Sequence, residues 1–510
     1  MKISKKILGL SAGFSAMLGA TLIAVSCGQT PQTPTNDNPG NGSNTTTYLT
    51  DAELLKQAQD TLTDWSGELS ITYEANWKPV MDALIKSLPA ELRSRVKLTE
   101  IKNDSSTTYI DTVEQNGSEA SDLFPVQLDR VQTLITKNLI AAIPQRYLGN
   151  YKKTQDIVKF NNNYYGYPLN VESVIQFYNK TIQPTAITDS TDMLKNPVAK
   201  KFVVQAGNMW HGSVFVNGLF STIQGSPENS NKEWVTYSDD GKVATAPFLQ
   251  NNTVKERLKV IYNYYQELRK SGDENWIGIA NNGNRFKRVV EGLATGNIGV
   301  TYDGMWILGD LIGYLILKDK DNPAKVVENI NNISVAALPN FGTEKTRHFV
   351  GGWAYALNRA SLTGITDQKA RTGKTNFANY IASRLTSKEL SGQWITNAGK
   401  YSAADDAQIK VNINSLSIND FSTTDENDKI DLSRYIAQEG FTSAIDNLYS
   451  SVTKALVEQS SLNVAQPKWP GSGYWEAWDG LGFSDKQYTT FDAFFDAFTA
   501  NINLELAKVK

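Results

Sequence analysis

The sequence predicts an α/β protein with two lobes. Short apolar strands alternate with helical patterns along most of the chain, and this order is typical of α/β architecture with mainly parallel sheets. The folded body, about 460 residues long, exceeds what one hydrophobic core comfortably supports. Alternation and length together therefore indicate two α/β lobes rather than one.

The first folded elements are predicted to begin near Thr50. Thr50 and Glu53 have the spacing of a capping box, which marks the start of a helix. Leu69–Tyr73 is predicted to be a strand, and Val96–Ile101 another because apolar and polar residues alternate there. Between them, Pro79–Leu88 has the apolar spacing of a helix. The N-terminal part thus already shows the alternation of an α/β fold.

Later patterns continue in the same way. Asp122–Val126 is predicted to be a strand, followed by a helix over Arg130–Leu139. Apolar residues from Val254 to Leu268 mark one face of a long helix that ends at the pair 271–272, Ser-Gly. The Asp-Gly pair at 240–241 lies between two extended segments and predicts a hairpin.

The composition excludes several classes of site. The chain has one cysteine, Cys27, and two histidines, His211 and His348. A disulfide within the chain and a Cys/His zinc site are therefore excluded, and a Ser–His–Asp enzyme would have to use one of these two histidines. The net charge of −3 gives no indication of nucleic-acid binding. We expect no metal, no cofactor and no nucleic-acid partner.

Motifs of enzymes are incomplete. The segment 373–375, Gly-Lys-Thr, ends like a phosphate-binding loop, but Gln368 stands where that loop needs its first glycine. Asp425 and Asn427 have the spacing of a calcium loop, yet Ile430 occupies its glycine position. The pattern G-x-S-x-G occurs only at 9–13, inside the apolar run near the N-terminus, and H-E-x-x-H does not occur. We therefore expect that the protein is not an enzyme.

The N-terminus has the pattern of a secretion signal. Three lysines precede an apolar run from Ile7 to Val25. Ser26 and Cys27 follow, and they resemble the lipobox of bacterial lipoproteins. The resemblance implies a signal peptide over 1–26, cleavage before Cys27, and a lipid anchor on its sulfur at the extracellular face of the cell membrane. The alternative is an uncleaved membrane helix of about 19 residues.

The segment that follows Cys27 is predicted to be a tether. Residues 27–48 are rich in Gly, Gln, Thr, Pro, Asn and Ser, with almost no apolar side chain. Such a stretch buries too little apolar surface to offset the entropy lost on ordering. We expect a flexible link between the anchor and the folded body.

Motifs that occur in order along the body resemble those of the extracellular solute-binding proteins of ABC transporters, in the branch of the maltose/maltodextrin-binding proteins. The strongest, FNNNYYGYPLNVESVIQFYNK at 160–180, is similar to the family pattern NGKxYxxPxxVExxxxxYNK. LATGNIGVTYDGMW at 293–306 and GYWEA at 473–477 resemble later blocks, and 122–130 resembles an earlier Asp…Asp-Arg segment. The resemblance implies a two-lobed, periplasmic-binding-protein-like fold with a hinge and an interlobe ligand cleft.

The resemblance also implies lobe boundaries. The N-terminal lobe would comprise residues 49–171 plus 340–405, and the C-terminal lobe residues 172–338 plus 406–510. The polar segment 410–431 interrupts the strand and helix patterns and is predicted to be a surface insertion.

The predicted site suits a sugar, which offers hydroxyls to carboxylates and amides and an apolar face to aromatic rings. The residues that the resemblance places in the cleft are Asp129, Arg130, Glu172, Trp306, Trp475, Tyr474, Asn76, Trp77 and Trp210. The alternative is structural: a helix cap for Asp129, a hinge carboxylate for Glu172 and core packing for the tryptophans. Trp353 and Trp394 are predicted to be core residues.

The function implied by the resemblance is that of a monomeric substrate-binding lipoprotein of an ABC sugar importer. It would capture a neutral mono- or oligosaccharide, maltose- or maltodextrin-like, and deliver it to the permease subunits. The particular sugar stays open, because Val126 and Asp479 stand where the maltose-binding branch has Trp and Arg.

Three alternatives remain at this point. Another solute such as glycerol 3-phosphate would need several basic groups, and three of them around the cleft would favour it; the predicted set contains only Arg130. A glycosidase would use two of the cleft carboxylates. A surface adhesin would respond to no small molecule.

Overall fold

The computed structural model describes residues 46–509 except 104, 161, 225–229, 240, 274–275, 277–284, 408–409, 417, 419–421, 423–428 and 480–487. Thr47–Lys510 form one compact unit. The predicted signal peptide, the lipidation site Cys27 and nearly all of the predicted tether lie outside the described residues. Within the described part of the chain, we find no helix with the length and apolarity needed to cross a membrane.

Twelve strands form two main sheets and two short ribbons in the described residues. The strands are β1 Leu69–Glu74, β2 Val96–Ile101, β3 Leu123–Gln127, β4 Lys159–Phe160, β5 Asn163–Tyr164, β6 Tyr167–Glu172, β7 Ile175–Asn179, β8 Thr236–Tyr237, β9 Ala244–Thr245, β10 Val300–Asp303, β11 Ile333–Ala336 and β12 Gly351–Leu357. The larger sheet has the order β2-β1-β3-β12-β6 and the smaller one β10-β7-β11.

The sheets are mixed, so the prediction of mainly parallel pairing is wrong. β1 pairs in parallel with β2 and β3, but β12 runs antiparallel to both β3 and β6. The smaller sheet is antiparallel throughout. The reason is that β6 and β12 are crossing strands: one carries the chain out of the first sheet and the other brings it back.

Helices flank both sheets. Around the larger sheet they are Asp51–Asp60, Lys78–Ser87, Ala90–Arg93, Ser106–Gln115, Val131–Thr136, Arg359–Thr363, Gln368–Leu385 and Ser391–Ala398. The others are Thr191–Lys195, Met209–Gly212, Val214–Gln224, Ser230–Trp234, Asn252–Ser271, Arg285–Thr295, Leu308–Lys318, Pro323–Asn331, Ser433–Ile436, Phe441–Ser460, Ser472–Asp479 and Phe491–Leu506. This arrangement confirms the predicted α/β class.

Local sequence signals placed several elements correctly. The capping box is present, with Thr50 Oγ1 accepting from the amide of Glu53 while the Glu53 carboxylate accepts from the amide of Thr50. The long helix ends at Gly272 in the left-handed conformation, φ 68°, which glycine adopts at little cost. The predicted hairpin is the β8–β9 ribbon.

The buried apolar residues form two separate cores. The first draws on the segments Leu54–Leu169 and Trp353–Ala404. The second draws on Val174–Phe349 and Ile395–Leu506. The chain therefore crosses between the cores near residues 170–173, again near 350–352, and a third time close to residue 400.

The segment 410–431 is not a simple surface insertion. Among its described residues, four apolar side chains are buried in the second core: Val411, Ile413, Leu416 and Ile418. The prediction followed from the polar composition of the segment, which hid the apolar residues spaced two or three positions apart.

Candidate functional site

A cleft of about 980 Å³ lies between the two cores. Its walls come from the ends of β1 and β3, from the three crossings, and from the loops and helix starts of the second lobe. Among its described lining residues are five tryptophans: Trp77, Trp210, Trp306, Trp353 and Trp475. Its charged lining residues are Glu74, Asp111, Glu114, Asp129, Glu172, Asp310, Glu476, Arg130, Lys137 and Lys400.

Two tryptophans form the wall on the side of the first core. Trp77 follows β1 and is 2% exposed, and Trp353 lies in β12. Their rings meet edge to face with centroids 6.1 Å apart, and Trp77 meets Trp394 in the same way at 5.4 Å. Trp394 is fully buried and Trp353 is 9% exposed, both within the first core as predicted. Trp353 in addition lines the cleft.

Three partly buried tryptophans form the opposite wall. Trp210 contacts Trp475, with ring centroids 6.1 Å apart and an interplanar angle of 32°. Trp306 follows β10 and meets the ring of the buried His211. Aromatic faces of this kind cover the apolar face of a sugar with little loss of side-chain entropy.

Two glycines leave space for two of these rings. A Cβ at Gly304 would clash with the six-membered ring of Trp306, and a Cβ at Gly351 would clash with the ring of Trp210. The absence of a side chain at these two positions lets each indole lie directly against backbone. This close approach gives a physical reason for the Asp-Gly-Met-Trp order at 303–306.

The buried His348 packs against Trp210. Its Nε2 donates to the Trp210 carbonyl oxygen at 2.8 Å, and the two rings meet edge to face at 4.1 Å. Burial lowers the pKa of His348 to about 3, so the imidazole is neutral at physiological pH and the Nε2–H tautomer can make this bond.

Asp129 follows β3 and faces the cleft. Burial raises the pKa of its carboxyl group to about 6, the adjacent Arg130 opposes this, and Glu172 adds a smaller increase. A carboxylate that is partly removed from water gains from accepting hydrogen bonds, and ligand hydroxyls can supply them. The position fits the predicted contact with sugar hydroxyls.

Arg130 is held by acidic side chains of the helix Ser106–Gln115. One Nη donates to Asp111 at 2.6 Å, and Nε donates to Glu114 at 3.0 Å; the same carboxylate also pairs with Lys137 at 2.9 Å. Arg130 is 6% exposed. It lines the cleft as predicted, but two carboxylates already use its guanidinium.

Glu172 lies at the first crossing, at the end of β6. Its Oε1 accepts from Asn170 Nδ2 at 2.8 Å and lies 3.5 Å from Lys400 Nζ. These contacts hold the carboxylate at the centre of the crossing segments, where both lobes meet.

The structure brings eight of the nine predicted residues together in the lining of one cleft; they are Asp129, Arg130, Glu172, Trp306, Trp475, Asn76, Trp77 and Trp210. Tyr474 does not join them, which corrects its predicted position. Its ring is 1% exposed and its hydroxyl donates to the Trp234 carbonyl oxygen at 2.5 Å. The helix Ser472–Asp479 turns consecutive side chains about 100° apart, so Trp475 faces the cleft and Tyr474 the core.

Sequence reasoning missed Lys400 and Trp353. Lys400 follows the helix Ser391–Ala398 in a stretch without a family motif, and no local signal marked it. Trp353 follows the Val-Gly-Gly segment at 350–352, and the two glycines could have indicated that a neighbouring side chain approaches the backbone there.

The described residues contain no group of three or more His, Cys, Asp or Glu side chains arranged to hold a metal ion. The carboxylates of the cleft instead pair with cations or line the wall singly. The arrangement can bind a ligand through hydroxyls and an apolar face.

Neither a protein-family model nor a curated protein matches the chain by sequence. Solved structures do match by fold. MalX from Streptococcus pneumoniae in complex with maltopentaose is 16% identical, with TM-score 0.56 over 86% of this chain and 100% of that chain. A cyclo/maltodextrin-binding protein complexed with maltotetraose is 14% identical, with TM-score 0.55 over 87% and 98%. The maltose-binding periplasmic protein MalE from Listeria monocytogenes in complex with maltose is 15% identical, with TM-score 0.52 over 86% and 98%.

These likenesses cover both cores and nearly the whole length of the matched proteins. The predicted architecture of two lobes around a cleft is confirmed. The chain has the two-lobed, periplasmic-binding-protein-like fold that these maltose- and maltodextrin-binding proteins share.

Proposed function

We propose that this chain is the substrate-binding lipoprotein of an ABC sugar importer. It captures a neutral mono- or oligosaccharide in the cleft, closes by bending at the crossings and presents the sugar to permease subunits. The lobes would be divided near residues 171, 350 and 400, close to the boundaries that the sequence predicts.

One observation carries the proposal: a single cleft between two cores lined by five tryptophans and several carboxylates. Aromatic faces and charged hydrogen-bond acceptors are the two features that a sugar requires of a site. The solved structures of similar fold supply independent support, since they are described as complexes with maltose, maltotetraose or maltopentaose.

The charges of the cleft favour a neutral ligand over a phosphorylated one. Among the described residues, three basic groups line it, Arg130, Lys137 and Lys400, and three is the number that would favour glycerol 3-phosphate. However, each of them forms an ion pair with a carboxylate of the lining, and seven carboxylates of the described residues line the same cleft. The excess of negative charge in the cleft would therefore repel a phosphorylated ligand.

Binding without catalysis is the better account of the carboxylates. Hydrolysis of a glycosidic bond needs a protonated carboxyl group and a second, ionised carboxylate beside the bond. Asp129, whose pKa burial raises to about 6, has the character of the first, whereas Glu172 and Glu114 are held in ion pairs by Lys400 and Arg130. A surface adhesin, in turn, would have no need of a cleft with this lining.

The test is a ligand panel on the compact unit 47–510. Melting temperature and tryptophan fluorescence are followed with maltose, maltotriose, trehalose, glucose, glycerol 3-phosphate and a peptide pool. At a hundredfold excess of ligand over Kd, binding stabilises the fold by about 2.7 kcal/mol. We expect a shift with one sugar class only; a shift with glycerol 3-phosphate or peptides, and none with sugars, would overturn the proposed substrate.

The anchor is a second part of the proposal, supported by the sequence around Cys27. We expect the wild-type chain in a bacterial host to be cleaved before Cys27, labelled by fatty acid and recovered with membranes. Cys27→Ser should abolish the label and the cleavage. A wild-type chain that keeps its first 26 residues and takes up no lipid would favour the uncleaved helix.

A further inference from the structure

Lys400 lies at the third crossing between the cores. The helix Ser391–Ala398 ends at Gly399, whose φ of 60° is left-handed, and the chain turns there toward the other crossing segments. Ser402 then forms a bridge with Asn170 of β6. The turn therefore places Lys400 beside the first crossing, where Glu172 ends β6.

The surroundings of Lys400 are unusual for a lysine. The residue is 7% exposed, although it lines the cleft. Its Nζ lies 4.6 Å from the ring centroid of Trp353 and 5.1 Å from that of Trp77. Glu172 Oε1, at 3.5 Å, is its one ion-pair partner among the described residues. An ion-pair partner and aromatic faces of this kind offset the cost of removing an ammonium group from water.

Lys400 and Glu172 both have hydrogen-bonding atoms that make no hydrogen bond to another described residue. An ammonium has three N–H donors. Glu172 Oε1 attracts the Lys400 ammonium as an ion-pair partner at 3.5 Å, and the two indole faces attract its charge but accept no conventional hydrogen bond. On the acceptor side, Asn170 and Lys400 both approach Oε1 of Glu172. Oε2 accepts no hydrogen bond from a described side chain or backbone amide.

We propose that Lys400 and Glu172 act together as a ligand-binding pair that takes two neighbouring hydroxyls. Lys400 donates to the oxygen of one hydroxyl, and Glu172 Oε2 accepts the hydrogen of the next. The inference rests on the proposed sugar-binding function and narrows its substrate class to uncharged ligands with adjacent hydroxyls. A phosphate at this place would lie against the Glu172 carboxylate.

Lys400→Met tests the proposal because it removes the charge and keeps the length of the side chain. The full chain is prepared in a detergent without a sugar headgroup, and Kd for maltotriose is measured by titration calorimetry. We expect Kd to rise at least about tenfold, the value for a lost charged hydrogen bond. Lys400→Arg should restore most of the affinity. Lys388→Met, an exposed lysine just before the same helix, is the matched control and should bind as the wild type does.

A double variant separates joint action from independent effects. If the two residues hold one pair of hydroxyls, Lys400→Met combined with Glu172→Gln should bind only slightly more weakly than the poorer single variant, because each change alone disables the pair. Independent contacts would instead give the product of the two fold-changes.

The outcomes are distinguishable. Wild-type affinity in Lys400→Met, with or without a lower melting temperature of the unliganded protein, overturns this inference alone and makes Lys400 a structural residue. A wild-type chain that binds no sugar overturns the proposed function and the inference with it.

Discussion

Asp129 combines burial with a position on the cleft wall, and its ionisation links stability to pH. Its pKa, raised to about 6 by burial, exceeds that of an aspartate in the unfolded chain, about 3.9. The folded state therefore holds the proton more tightly between these values. The contribution of Asp129 to stability is greatest below pH 4 and is lost as the pH rises through 6.

We therefore expect Asp129→Asn to stabilise the unliganded protein at pH 7.5. The gain should be on the order of 1–3 kcal/mol and should shrink toward zero as the pH falls to 4. Urea unfolding of variant and wild type across this range measures the difference, with the exposed Asp64→Asn as control. A gain that does not change with pH would contradict the assignment of the raised pKa to Asp129.

The same carboxyl group should make sugar binding depend on pH. Ligand hydroxyls donate more strongly to the ionised form, so Kd of the wild type should rise as the pH falls from 7 to 5. In Asp129→Asn, binding should be weaker at pH 7 and nearly independent of pH. Titration calorimetry at three pH values measures both effects; a wild-type Kd that stays constant to pH 5 would exclude Asp129 as an acceptor.

His348 should affect stability in the opposite direction. Burial lowers its pKa to about 3, below the value of about 6.5 in the unfolded chain. Its contribution is therefore complete above pH 6.5 and is lost as the pH falls below that value, by on the order of 1 kcal/mol per unit. His348→Gln should show a shallower loss of unfolding free energy between pH 6.5 and 4; equal slopes for variant and wild type would contradict this.

At the scale of elements, the loop from β10 into the helix Leu308–Lys318 shows how backbone positions a side chain of the cleft, Trp306. The added methyl group of Gly304→Ala should displace the Trp306 ring. We expect sugar binding to weaken about tenfold and the free energy of unfolding to fall by about 1–3 kcal/mol. Gly309→Ala, in the first turn of that helix with open space around it, is the matched control; it should leave sugar binding unchanged and raise stability by at most about 1 kcal/mol. Kd and melting temperature of the two variants provide the comparison.

Elements with local signals could be predicted from the sequence. The capping box at Thr50, the strand Val96–Ile101 and the hairpin at 240–241 depend on neighbouring residues, and all three were placed correctly. Strand direction was not, because pairing of β12 with β3 and β6 joins segments more than 170 residues apart and no local pattern records it.

The residues of the candidate site likewise include some that the sequence predicts and others that it does not. Residues that follow strands or stand in ordered motifs, such as Asp129, Glu172 and Trp306, reach the cleft as predicted. Tyr474 could not be told from Trp475 because the two are adjacent on a short helix, and only tertiary packing decides which of them faces inward. Lys400 depends on a left-handed turn at Gly399 and on contacts with three distant residues, so its role is visible only in the folded chain.

At the scale of the whole molecule, two cores and three crossings give the chain a hinge. Ligand bound between lobes contacts both of them, so that sugar should favour a closed arrangement. We expect the radius of gyration of the unit 47–510, measured by small-angle X-ray scattering, to fall on addition of the bound sugar. Trp475→Ala, which removes one of the three tryptophans of the second wall, should need more sugar for the same change. A saturated complex as extended as the free protein would contradict closure.

The most direct test of the account is titration of a linear maltodextrin into the unit 47–510, followed by heat and by tryptophan fluorescence. We predict saturable binding of one ligand per chain, lost in Glu172→Ala and Trp306→Ala and kept in Trp65→Phe, whose ring packs on Phe377 rather than in the cleft. Binding that survives both cleft substitutions, or no heat and no fluorescence change with any sugar, would contradict it.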